Sequence, residues 1–80
     1  MVIKFELEYA DACMVEIALY GFIASQKQEI HRLQTLPERS NAEKELMKAC
    51  ENRVRNTGRI LRVVVDNLNA ANEEVCDEEA

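Results

Sequence analysis

Along its first nine residues the chain alternates, with Ile3, Phe5, Leu7 and Tyr9 on one side and Val2, Lys4, Glu6 and Glu8 on the other. A period of two is the pattern of a half-buried strand and predicts a short extended or β segment over residues 1–8. A helix continuous from residue 2 is the rival reading. A strand here has no obvious partner within the chain, and a lone edge is unstable, so it would pair with another copy or lie across helices.

From residue 9 to residue 35 the period changes. Ala12, Val15, Leu19, Phe22, Ile23, Ile30 and Leu33 recur at helical steps and predict an apolar seam. A second stripe of Ala10, Met14, Ile17, Gly21 and Ala24 runs roughly opposite and stops where Gln28, His31 and Arg32 begin. The first half of this helix is therefore apolar nearly all round. Pro37 ends it, because proline has no N–H to donate and restrains the residue before it.

Ser40-Asn-Ala-Glu43 then reads as a capping box, the strongest local signal in the chain. The second helix, expected over residues 41–72, carries Leu46, Cys50, Val54, Thr57, Leu61, Val64, Leu68, Ala71 and Val75 in a near-heptad seam. Such a seam favours an antiparallel hairpin with left-handed crossing. The expectation is one mainly α domain over residues 1–80: an extended segment (1–8), a helix (9–35), a turn (36–40), a second helix and an acidic tail (73–80). Gly58 and the β-branched run after it leave a β-α-α-β alternative, with residues 59–66 pairing against residues 2–8.

A two-helix hairpin covers one stripe per helix, and folding about residue 38 sets residue 12 level with residue 64 and residue 24 level with residue 52. Surplus apolar positions remain, and Met14, Ile17, Gly21, Ile60, Val63 and Val65 are the candidate interface. The covering could be the N-terminal segment, a second copy or a different protein; homo-oligomerisation is the favoured expectation.

Composition narrows the classes. Ten Lys and Arg face fifteen Asp and Glu, a net charge of −5, which opposes general affinity for nucleic acid. No recognition-helix pair of helix-turn-helix length is visible either. Cys13, Cys50 and Cys76 are odd in number and lack a CxxC pair, so neither a disulfide framework nor a zinc site is encoded. The apolar run from Ala12 to Ala24 is interrupted by Glu16 and is too short to cross a membrane, which points to a cytoplasmic chain without membrane contact.

Charge is uneven along the chain. Residues 37–65 hold seven cations and four acids, whereas residues 66–80 hold six acids and no cation. Lys44, Lys48, Arg55, Arg59 and Arg62 share one face of the second helix, turned away from the seam. That face is either a solvated surface or an anion site for a phosphate, a nucleotide or an acidic partner. Gly58 is alone among its neighbours, so a phosphate loop is not encoded and a packing or kink role is expected. His31, the single histidine, has no ligand-spaced acids or thiols around it, and no metal or cofactor is expected.

Glu16 is the acid embedded in apolar sequence, and an ion pair with Arg59 or Arg62 is expected for it. No pair of carboxylates is placed for acid–base work. The chain is expected to be no enzyme but a small helical binding protein, a regulator, inhibitor or assembly adaptor. The alternative is an oligomeric binder of a phosphate-bearing ligand through Arg55, Arg59 and Arg62.

Overall fold

A computed structural model describes residues 1–3 and 5–79, with side-chain environments described up to Glu73. The chain is a helical hairpin of α1 (Tyr9–Gln34) and α2 (Asn41–Glu79), packed along one another. Residues 1–3 and 5–8 are neither helix nor strand, and Glu8 enters α1 with an extended backbone (φ −67°, ψ 155°). No strand occurs among the described residues, so the β-α-α-β alternative is replaced by one continuous helix through Gly58. Its three-and-four seam outweighs the strand propensity of the valines, because burial along a helix face is worth more than local preference. The acidic run 73–79 prolongs α2. Val75 and Cys76 lie outside the residues whose side chains are described.

The seam is a strict seven-residue repeat on both helices. Its positions, all half-buried or buried, are Ala12, Glu16, Leu19, Ile23, Gln26, Ile30 and Leu33 on α1 and Glu43, Met47, Cys50, Val54, Thr57, Leu61, Val64, Leu68 and Ala71 on α2. Steps alternating between three and four residues keep one line of each helix against the other. Polar Glu16 and Gln26 thus hold seam positions, while Val15 and Phe22, expected there, lie at its exposed edge. Likewise Met47 and not Leu46 is the first apolar residue of the α2 seam.

Two contacts set the register. The Tyr9 hydroxyl donates to Asn72 Oδ1 at 2.9 Å, and Arg53 donates to Gln26 Oε1 at 3.4 Å. Residue 12 is therefore level with Leu68 and not Val64, about one helical turn from the expected alignment, because residues 35–40 carry the chain past the end of α1 before α2 turns back.

The turn is closed at both ends. Ser40 Oγ accepts from the Glu43 N–H at 3.1 Å and Glu43 Oε1 accepts from the Ser40 N–H at 3.0 Å, the expected reciprocal capping box. On the other side Arg39 Nη1 donates to the Leu33 carbonyl at 3.0 Å, and the Thr35 N–H donates to the His31 carbonyl at 3.1 Å. The last carbonyls of α1, which no helix can satisfy itself, thereby find donors.

The hydrogen bonds from Ser40 hold the Glu43 carboxyl below its ordinary value of 4.5, with help from Arg32 and Arg39. A lowered folded value means the linked stability is present above 4.5 and lost as pH falls through the folded value. Thermal melts should show the midpoint falling on the acid side of 4.5, with a shallower fall in Glu43→Gln. Ser40→Ala should cost about 1 kcal/mol, lowering the midpoint by several degrees.

A Cβ added at Gly58 would meet nothing within 4 Å. No close packing against Gly58 is thus found within one chain, and α2 continues through the position as helix. Gly58→Ala should stabilise a lone hairpin by about 0.5–1 kcal/mol. A lower midpoint in calorimetry would mean that another body packs on that glycine.

Candidate functional site

The hairpin has little core. Leu33, Cys50, Leu61 and Leu68 are its buried apolar side chains among the described residues, with Thr57 buried beside them. The chain exposes 6742 Å², whereas a compact monomer of its size would expose about 4,900 Å². Its dimensions, 59 × 28 × 15 Å, are those of two helices lying side by side.

A cluster of exposed apolar side chains lies at the open end of the hairpin. There Ala12 and Val15 of α1 and Ile60, Val63, Val64 and Asn67 of α2 form the floor of a groove of about 760 Å³, and Ile3, Phe5 and Leu7 line its wall. The helical period explains the floor. Ile60 and Val63 are three residues apart and flank Leu61 and Val64 of the seam, so they emerge together on one side of it. Phe5 is 81% exposed, Val63 58% and Ile60 49%, so the wall shields the floor only in part.

Of the six candidate interface residues, the structure brings Ile60 and Val63 into this groove and leaves Met14, Ile17, Gly21 and Val65 outside its lining. Met14 and Ile17 are 68% and 69% exposed on α1, and Gly21 is exposed with open space at its Cβ position. Val65 is half-buried. Ala12 and Val15 line the groove although the helical period alone places them in the seam; the strict repeat, with Glu16 and Gln26 in it, is the signal that moves Val15 outward.

All five cations of the candidate anion face, Lys44, Lys48, Arg55, Arg59 and Arg62, are exposed. Lys48, Arg55 and Arg62 follow one another every seven residues and so form a single line down α2. Among the described residues one ion pair occurs, Arg32 with Glu29 on α1, supported by a 3.1 Å bond from Arg32 Nε. Hydrogen bonding to Arg32 holds the Glu29 carboxyl below its ordinary value.

Glu16 forms no pair with Arg59 or Arg62. It sits half-buried on the seam, whereas those arginines leave α2 away from it. A carboxylate at a seam position weakens the seam, because it puts a polar group where an apolar side chain would be buried. Glu16→Leu is accordingly expected to raise the melting temperature by several degrees, an effect of about 1 kcal/mol. A fall in melting temperature would show that Glu16 has a stabilising partner.

His31 is exposed, Cys50 is buried and Cys13 half-buried, both thiols free. No group of three or more His, Cys, Asp or Glu among the described residues is placed to hold a metal ion. No described helix is long and apolar enough to cross a membrane. No protein-family model matches the chain, and neither a curated protein nor a solved structure matches it.

Proposed function

We propose that this chain is a small non-catalytic helical binding protein, a regulator, inhibitor or assembly adaptor that acts through protein–protein contacts. In this reading it is a homo-oligomer, and residues 1–8 serve as an extended flap over the helices. The observation that carries the reading is the exposed apolar groove at the open end, in a hairpin whose surface exceeds that of a compact monomer by about 1,800 Å². Apolar patches of this kind on small proteins are contact surfaces for other macromolecules. What supports self-contact is the thin core: a chain of this length rarely stabilises itself without a staple, a metal or a second copy.

A second reading has its own support in the line of Lys48, Arg55 and Arg62, exposed and without an ion-pair partner among the described residues. An oligomer could gather several such lines around a phosphate-bearing ligand. Inorganic sulfate or a nucleotide would then raise the melting temperature, and Arg55→Glu would abolish the rise.

Light scattering coupled to size exclusion tests the main reading. The wild type should have a mass above that of one chain, and Val63→Asp should shift the population toward monomer while helicity persists. A wild type that remains monomeric at every concentration would overturn self-association.

A further inference from the structure

Helix α2 is net basic up to Arg62, where Lys44, Lys48, Arg53, Arg55, Arg59 and Arg62 outnumber Glu43, Glu45 and Glu51, and acidic from Asp66 on. Arg55 and Arg59 precede Val63, Asp66 and Glu73 follow it, and all four are exposed. Two copies of α2 packed parallel would set like charges level with one another. Packed antiparallel, they would set the acidic half of each over the basic half of the other.

We propose that the occupant of the groove is a second copy of this chain, docked with its α2 antiparallel to the first about a two-fold axis between Ile60 and Val63. The proposal rests on the self-association reading and specifies its geometry. The two-fold makes the contact self-complementary: Ile60 of one copy meets Val63 of the other, twice. Arg59 lies one residue before that pair and Asp66 three after it, so the two-fold brings each Arg59 to within two residues, about 3 Å along the axis, of the level of Asp66 of the second copy, a gap that the long arginine side chain spans. Both side chains lie beside the apolar pair on the outer flank of α2, where charges of antiparallel helices meet like position to like position.

The apolar contact is built from exposed side chains: Ile60 and Val63 are 49% and 58% exposed, and the two-fold supplies each of them twice. Val15, at the exposed edge of the α1 seam, extends the apolar floor, so the product is a four-helix bundle rather than a contact of two isolated helices.

Charge exchange in the full-length chain tests the arrangement. Arg59→Glu and Asp66→Arg each place two like-charge contacts in the homodimer and should each weaken it about tenfold, measured by sedimentation equilibrium at low salt. An equimolar mixture of the two variants should recover wild-type strength as a heterodimer, because both of its contacts are then Glu to Arg or Arg to Asp. Circular dichroism on the variants checks that the helices persist, as both positions are exposed. A mixture as weak as its components, or single variants as strong as wild type, would overturn the antiparallel geometry while an oligomeric wild type upholds self-association. A monomeric wild type would overturn both, and assign the groove to residues 1–8 or to a different protein.

Discussion

A pair of helices has one line of mutual contact, and everything else in this molecule follows from how that line is filled. The strict seven-residue repeat from Ala12 to Leu33 and from Glu43 to Ala71 winds the two helices together along a common seam. Each layer of that seam buries two side chains at most, and several layers are polar or small: Glu16, Gln26, Thr57, Ala71. The interface between the helices is consequently continuous but thin, and the flanks carry side chains that a larger fold would have enclosed.

The turn compensates locally and not globally. Reciprocal hydrogen bonds at Ser40 and Glu43 and the reach of Arg39 back to the Leu33 carbonyl fix where α1 ends and α2 begins. They hold the reversal that makes the helices antiparallel. At the other end Tyr9 and Asn72 supply a single side-chain hydrogen bond, and the apolar surface of Ile60, Val63 and the N-terminal segment stands open. Structure and surface chemistry are thus polarised along the rod: specification at the turn, surplus apolar area at the open end.

The helices, the turn and the capping box were legible in the sequence because each has a local cause: Pro37 as a stop, Ser40 and Glu43 at fixed spacing, apolar residues at helical steps. The α1 seam was legible only in part. Apolar Val15 and Phe22 attract an assignment to the core, while the true repeat runs through Glu16 and Gln26, and only packing against α2 decides between the two lines. The register was misplaced by a turn because it depends on how far residues 35–40 travel before reversing, which no periodicity records. The groove was half legible: Ile60 and Val63 stood out as surplus, but their juxtaposition with Val15 and Phe5 requires the register and the path of the N-terminal segment. The cations of α2 were legible as a face, and that they form no ion pair among the described residues is a property of the fold.

The central claim is that the hairpin is incomplete as a single chain and reaches its stable form by association. Helicity followed through thermal unfolding over a hundredfold range of protein concentration tests it most directly. When folding is coupled to association, the midpoint rises with concentration by mass action. A steadily rising midpoint is the predicted result. A midpoint independent of concentration, in a single cooperative transition, would show that one copy of the hairpin is stable alone and would contradict the account.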